Sequence, residues 1–334
     1  MKTKKIKRIL VTGSVGQIGS ELTLVLRERY GAENVIACGR KTQPSRALKE
    51  SGPFEWVDVT EAEKLAAVCR RYAVDAIINM AAILSATGEK NPQLAWHVNV
   101  TGLINTLEIA RELEMAQVLC PSSIAVFGPT TPRKNTPQET ILKPTTMYGV
   151  TKVTGELLCD YYVRRFGVDA RGLRYPGIIS AETLPGGGTT DYAVDIYYKA
   201  VEAGRYTCFV RDDTRLPMMY MPDCLKATID LMEADFSALR HHGDFNVGAM
   251  SFSAGELAAE IRKHVPGFEV RYEPDFRQAI ADSWPESIDD AAARAEWGWR
   301  PAYDLPAMTA DMLAKLRRRH AAGRLYPESA DAPK

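Results

Sequence analysis

The stretch Ile9-Leu10-Val11-Thr12-Gly13-Ser14-Val15-Gly16-Gln17-Ile18-Gly19 decides the fold. It closes an apolar, β-rich run over residues 6–12 with glycines spaced G-x-x-G-x-x-G, and an amphipathic segment over 20–30 follows. Strand, glycine turn and helix in that order form a dinucleotide-binding unit. Gly13 permits the tight turn, Gly16 lets the backbone approach a pyrophosphate, and Gly19 lets helix and strand pack closely. Gln17 and Ile18 lie between the last two glycines and belong to the same expected cofactor contact. Without the flanking strand and helix the glycines would be only a turn.

Working outward, a second strand over 34–38 ends about 20 residues beyond Gly19, where an acidic side chain ordinarily holds the adenosine ribose of NAD. Gly39-Arg40 stands there instead. An arginine can meet a 2′-phosphate or stack on adenine, so NAD and NADP both remain open at this point. A third strand over 54–59 ends at Asp58, suited to the adenine amino group. A helix over 61–72 precedes a nearly continuous apolar strand over 74–82, the kind buried on both faces of a parallel sheet. Its end opens into Ile83-Leu84-Ser85-Ala86-Thr87-Gly88, and ligands in open α/β sheets sit beyond the carboxyl ends of strands.

Residues 92–114 have a helical pattern carrying Asn99 and Asn105; a buried Asn99 could position a water for Lys152 or simply pack between helices. Residues 117–121 form a strand that delivers Ser122-Ser123 to the same edge, and 169–175 form a sixth. Strands alternating with helices predict a doubly wound parallel sheet of the Rossmann type over 1–177. Beyond it the alternation weakens into a second, smaller α/β substrate-binding lobe over 178–320, with a return to the first domain around 218–248. The glycine loop at 185–191 leads into a helix through 203, and final helices span 286–297 and 305–319. The tail 321–334, with Pro327 and Pro333, reads as disordered.

Composition narrows the function. Lys+Arg and Asp+Glu are 42 each, so no net field draws the chain to nucleic acid or an acidic membrane. No apolar run is long enough for a membrane span, and the basic start leads directly into a strand, leaving no room for a signal peptide. Six scattered cysteines without a Cys-x-x-Cys pair read as reduced core residues of a cytoplasmic protein. No His-Glu-x-x-His occurs and no metal is expected.

The chemistry is concentrated in Thr146-Met147-Tyr148-Gly149-Val150-Thr151-Lys152. On a helix over 145–165, Tyr148 and Lys152 lie at i and i+4 and share a face. A phenol with a pKa near ~10 is a poor base at neutral pH, and lowering it by about three units needs roughly 4 kcal/mol. A cation about 4 Å away at an effective dielectric near 20 supplies about that much. Lys152 is therefore expected to turn Tyr148 into an acid/base, with Ser123, or else Ser122, orienting the reacting oxygen.

Together Gly13-x-x-Gly16-x-x-Gly19, Ser122-Ser123 and Tyr148-x-x-x-Lys152 resemble the extended short-chain dehydrogenase/reductase superfamily over nearly the whole chain. Longer phrases are similar to its short-chain L-threonine 3-dehydrogenase family: 82–86, Pro121-Ser122-Ser123-Ile124-Ala125-Val126-Phe127-Gly128-Pro129, Arg174-Tyr175-Pro176-Gly177-Ile178-Ile179-Ser180, 187–194, 217–221, and 275–277 through Trp284-Pro285. The resemblance implies NAD as oxidant, L-threonine as substrate, 2-amino-3-ketobutyrate as product, no metal, and a homodimer. It implies that Ser85, Ser123, Tyr148, Thr189, Thr190 and Trp284 line the amino-acid pocket. It also implies that Leu84, Asn99, Tyr148 and Lys152 meet the cofactor, with Lys152 on the nicotinamide ribose. Gly39-Arg40 departs from the NAD-using pattern and leaves NADP possible.

Two rival readings share the fold. A nucleotide-sugar epimerase or dehydratase uses the same Ser, Tyr and Lys but usually places an Asn after the Arg-Tyr of the sixth strand, where this chain has Pro176-Gly177-Ile178. A non-catalytic NAD(P)-sensing protein would need no activated phenol.

Overall fold

The computed structural model describes residues 5–326. β1 (Ile9–Thr12) passes through the glycine turn into α1 (Gln17–Tyr30), followed by β2 (Val35–Gly39), α2 (Arg46–Glu50), β3 (Phe54–Trp56), α3 (Ala62–Tyr72) and β4 (Ala76–Asn79). After α4 (Ser85–Lys90), α5 (Pro92–Trp96), a π turn at His97–Thr101 and α6 (Gly102–Glu112) come β5 (Gln117–Leu119) and the short β6 (Ser122–Ser123). Helix α7 (Met147–Phe166) and β7 (Ala170–Arg171) complete a six-stranded sheet of order β3-β2-β1-β4-β5-β7. Every pairing in it is parallel, so the doubly wound sheet is present as the alternation predicts.

The strand sequences explain the layers. β1 and β4 bury all their residues. Leu10 and Ile77 pack with Leu65 and Val68 of α3, while Ile9, Val11 and Ile78 pack with Leu22 and Leu26 of α1. Alternate residues therefore meet helices on opposite faces, which is why these strands lack a polar side. Each fully buried Ile, Leu or Val contributes roughly 1.5–3 kcal/mol.

The chain leaves the large sheet at Gly172, where only glycine fits, since a Cβ would collide with the carbonyls of Cys120 and Gly243. β8 (Leu173–Tyr175), β9 (Gly177–Ile179), α8 (Tyr192–Ala203), β10 (Arg205–Cys208), β11 (Arg215–Tyr220) and α9 (Met221–Glu233) follow. Then come β12 (Phe245–Asn246), β13 (Met250–Ser253), α10 (Ala254–His264), β14 (Glu269–Tyr272), α11 (Arg277–Asp282), α12 (Ala291–Trp297) and α13 (Leu305–Ala321). The strands make small sheets of order β12-β8-β6, β13-β11-β9 and β10-β14. The segments at 218–248 thus join β9 and β8 in three-stranded sheets and add no strand to the large one. A core of Ile179, Tyr192, Tyr197, Leu257, Ile261 and Leu313 ties α8, α10 and α13 together.

Several local expectations change. The loop expected over 83–88 is helical from Ser85 onward, as α4, because Ser85, Ala86 and Gly88 are small enough to bury. A Cβ on Gly88 would lie 3.9 Å from the Tyr148 Cβ, so α4 rests on the tyrosine helix. The helix expected over 286–297 begins only at Ala291, and β13 and α11 had no clear sequence signal. The expected disordered tail is not disordered at its start: Ala321 still belongs to α13, Leu325 is buried, and Tyr326 stacks on Tyr198 with ring centres 5.4 Å apart. Aromatic and aliphatic burial there outweighs the loose composition. Residues 327–334 lie outside the described residues. All six cysteines are buried and free.

Candidate active site

A cleft of about 470 Å³ opens beyond the carboxyl ends of β1, β4 and β5, between the large sheet and the loop at 186–191. One wall is the glycine turn. Gly13 has φ +61°, and a Cβ on it would lie 2.6 Å from the Ala81 nitrogen, so glycine alone fits. Helix α1 starts at Gly16 without a side-chain cap, leaving its first-turn amides for an anion. Gln17 lines the cleft, and its buried Nε2 has no partner within the chain. An open turn, uncapped helix start and orphaned amide suit a dinucleotide pyrophosphate, and this donor set fits the nicotinamide cofactor expected here. Gly13, Gly16, Gln17, Ile18, Gly19 and Leu84 all border the cleft.

The opposite wall carries the acid/base pair. Thr146 accepts from the Gly149 nitrogen and caps α7, so Tyr148 and Lys152 project together from its first turns. Ser123 stands beside the Tyr148 phenol and draws its pKa down, while its Oγ accepts from the Ala125 nitrogen at 3.2 Å. Ser122 turns away and donates to Glu156 Oε1 at 2.5 Å, so of the two serines it is Ser123 that faces the phenol.

Lys152 makes no bond to the phenol here, and burial pushes the Tyr148 phenol up to about 12, with Ser123 opposing. The ammonium stands 5.5 Å from the Tyr148 ring centroid, and Nζ donates to the Pro121 carbonyl at 2.6 Å. Burial also pushes Lys152 down to about 8. Both groups lose water on burial, and without a direct bond between them desolvation outweighs attraction.

The remaining calls divide by position. Ser85 and Thr189 share a hydrogen bond of 3.0 Å across the cleft, joining α4 to the glycine loop. Thr190 and buried Trp284 also line it, and a Cβ on Gly177 would lie 2.9 Å from Thr190 Cγ2. Asn99 sits behind the cleft. The π turn aims it at Ile83, from whose nitrogen it accepts at 2.8 Å and to whose oxygen it donates at 3.0 Å, and it also donates to Thr151. With Lys152 and Glu156 it borders an inner cavity of about 20 Å³, room for one water. Arg40 and Asp58 do not line the cleft; they pair with each other at 3.5 Å beyond β2 and β3, where Asp58 also accepts from Thr60.

Sequence reasoning assigned no role to Asp191, the one carboxylate among the described residues bordering the cleft. Its Oδ2 accepts from the Gly187 and Gly188 nitrogens at 3.0 and 2.9 Å, and burial pushes its pKa up to about 6 against those bonds. An acidic residue three positions beyond a run of three glycines was the available signal. Glu156 and Arg174 were also missed, since neither borders the cleft. Among the described residues no helix is long and apolar enough to cross a membrane, and no group of three His, Cys, Asp or Glu side chains could hold a metal.

Comparison with known proteins agrees with this geometry. Residues 9–248 match the NAD dependent epimerase/dehydratase family. An uncharacterized epimerase/dehydratase of Staphylococcus haemolyticus is 52% identical, covering 94% of this chain and 99% of that protein. A GalE-like L-threonine dehydrogenase from Cupriavidus necator, solved in its holo form, is 52% identical with a TM-score of 0.90, covering 92% of this chain and 99% of that one. A monomeric L-threonine 3-dehydrogenase from a metagenome database, in its apo form, is 49% identical with a TM-score of 0.90, covering 93% and 99%. The resemblance to short-chain L-threonine 3-dehydrogenases is thus met by solved structures at about half identity over nearly the full length. The chain belongs to the NAD dependent epimerase/dehydratase family and is an enzyme of that superfamily, working with a nicotinamide cofactor.

Proposed function

We propose that this protein is an NAD-dependent L-threonine 3-dehydrogenase, oxidising the β-hydroxyl of L-threonine to 2-amino-3-ketobutyrate. The observation that carries the reading is one cleft in which the Tyr148–Ser123 pair faces the Ser85–Thr189 pair and the Asp191 carboxylate, in a chain about half identical to L-threonine dehydrogenases. A small polar amino alcohol matches that lining: hydroxyls for its oxygens, and a carboxylate to balance its ammonium.

In this mechanism the bound cofactor supplies the hydride acceptor and a cationic ring. The turn from Gly13 to Gly19 would hold its pyrophosphate, and Lys152 would hold its ribose. Ser123 orients the threonine β-hydroxyl toward Tyr148 Oη, which takes the proton as hydride leaves Cβ. Because burial holds the phenol up, its ionisation depends on positive charge beside it, which the Lys152 ammonium 5.5 Å from the ring centre supplies.

NAD is favoured over NADP. Asp58 stands 3.5 Å from Arg40, so it partly neutralises the guanidinium and repels a 2′-phosphate. A cytoplasmic homodimer completes the reading: α7 leaves Val150, Leu157 and Tyr161 exposed along one face beside Ile104 of α6, a surface a second copy would cover. Since one similar dehydrogenase is described as monomeric, light scattering on the purified protein decides this point.

The test is initial-rate measurement with L-threonine, using NAD and NADP in parallel. Reduced cofactor forming with L-threonine and NAD is the expected result. The rival is a nucleotide-sugar epimerase, favoured by the name of the staphylococcal relative. Turnover of UDP-glucose without net reduction, and none of L-threonine, would establish it.

A further inference from the structure

Tyr148, Lys152 and Glu156 occupy positions i, i+4 and i+8 of α7 and therefore one face of it. Each meets one of three consecutive residues at the end of β5 and along β6. Tyr148 has the Ser123 hydroxyl beside its phenol, Lys152 donates to the Pro121 carbonyl at 2.6 Å, and Glu156 accepts from Ser122 Oγ at 2.5 Å. The third rung is charged and buried. Arg174 of β8 donates to both Glu156 oxygens at 2.8 Å, and Glu156 and Arg174 are only 7% and 2% exposed. Arg174 also donates to the Gln138 carbonyl at 2.9 Å and to Asn246 Oδ1 at 3.2 Å, lies 3.6 Å from Asp244, and covers the Phe127 ring.

A buried ion pair is weak evidence of a stabilising role, because apolar residues of equal volume often serve as well. What distinguishes this one is the destination of its remaining contacts. One runs to the residue immediately before Ser123, and the carboxylate shares the inner cavity with Lys152. We propose that Glu156 is a positioning residue of the reaction, fixing through Ser122 the backbone that presents Ser123 and supplying, beside Arg174, the negative charge that keeps Lys152 an ammonium. This rests on the acid/base reading of Tyr148 given above.

The groups facing Lys152 are few. On α7 they are Tyr148, Glu156 and Cys159, and from the end of β5 comes Cys120. Behind Glu156 stand Arg174 and Asp244. Burial already pulls Lys152 down, and among its charged neighbours Glu156 opposes that pull. Removing the carboxylate leaves Lys152 and Arg174 as two buried cations with less compensation, so Lys152 should lose its proton at lower pH. Fewer ammonium groups around the phenol then move the acid limb of the rate profile upward.

The experiment uses the full chain with Glu156→Gln, Ser122→Ala and the double replacement E156M/R174M. It follows kcat, KM, the kcat–pH profile and NAD binding, and titrates Lys152 by NMR after reductive ¹³C-methylation. For E156Q a fall in kcat of about 10- to 100-fold with NAD binding within a few fold is expected, as for a displaced reacting group. Its Lys152 titration should move down by about one pH unit. S122A keeps the ion pair and should fold, with a smaller loss of kcat and an unmoved lysine. E156M/R174M replaces both charges by apolar groups, so a merely structural role predicts restored kcat, whereas a positioning role predicts the loss persists. Folded E156Q or E156M/R174M with wild-type kcat and wild-type lysine titration would overturn the proposal, and if E156Q fails to fold, S122A with unchanged kcat would do so. Were wild type inactive on L-threonine, the proposed function would fail while the lysine titration still decided the Glu156 role.

Discussion

Lys152 Nζ stands 5.5 Å from the centre of the Tyr148 ring, yet its hydrogen bond goes to the Pro121 carbonyl at 2.6 Å. The two groups are neighbours without being bonded. Their opposite pKa displacements, the phenol up to about 12 and the ammonium down to about 8, follow from shared burial. Burial sets both displacements, and the first two predictions turn on these two residues.

Replacing Tyr148 by Phe removes the proton acceptor while keeping the ring that packs the cleft. Loss of kcat by about 10²- to 10⁴-fold is expected, the usual worth of a positioned acid/base. Cofactor binding, followed by fluorescence titration, should stay within a few fold, because the glycine turn supplies most of that contact.

The pH dependence has a definite sign. Below the phenol's pKa Tyr148 is protonated and cannot accept the β-hydroxyl proton, so oxidation should climb from neutral pH toward about 9. Above about 8 the ammonium begins to lose its proton, which withdraws the charge that favours the phenolate and flattens the climb. Lys152→Met should remove that flattening and push the phenol limb to still higher pH. A profile for K152M identical to wild type would separate Lys152 from the ionisation.

Asp191 holds the amides of Gly187 and Gly188, and its pKa is pushed up to about 6 by burial. As pH falls through about 6 the carboxylate protonates and its bonds to the loop weaken. KM for L-threonine should therefore rise on the acid side while NAD binding stays level. The folding contribution runs the other way: a carboxyl raised by burial resists ionisation, so the fold loses this burden as pH drops. Asp191→Asn should abolish the acid-side rise and carry a high KM at every pH.

Arg40 and Asp58 form a half-exposed ion pair at 3.5 Å, which adds little to stability. Its consequence is selectivity. Asp58→Ala should raise kcat/KM with NADP by about tenfold, since one removed repulsion of about 1.4 kcal/mol corresponds to that ratio. Arg40→Ala should abolish whatever NADP activity wild type has and change the NAD rate only slightly.

Gly13 combines φ +61° with backbone 2.6 Å from any added Cβ. Gly13→Ala should lower stability by at least about 1–2 kcal/mol from backbone strain alone, measured by thermal melting. Collision with Met80 and Ala81 adds to that, and cofactor affinity should fall with it.

Much of the molecule was legible in the sequence because its signals are local. The β1 run and the glycine spacing specify a strand, a turn and a helix from neighbouring residues, and the nearly continuous apolar run 74–82 announces a strand buried on two faces. Thr146 four residues before Val150 marks a helix start that puts Tyr148 beside Lys152. Helix α4 was missed because small residues carry weak propensity, and it forms only where Gly88 lets it lie on Tyr148.

The residues alone determined the dinucleotide-binding sheet and the Tyr-x-x-x-Lys face, since spacing along a helix or strand decides which side chains share a side. Only the tertiary structure decided that Ser123 rather than Ser122 meets the phenol, that Asp191 holds the glycine loop, that Asn99 grips Ile83, and that Glu156 and Arg174 are buried behind Lys152. Those relationships join residues far apart in the chain. Their energies come from burial and from the direction of hydrogen bonds, which exist only once the layers have packed.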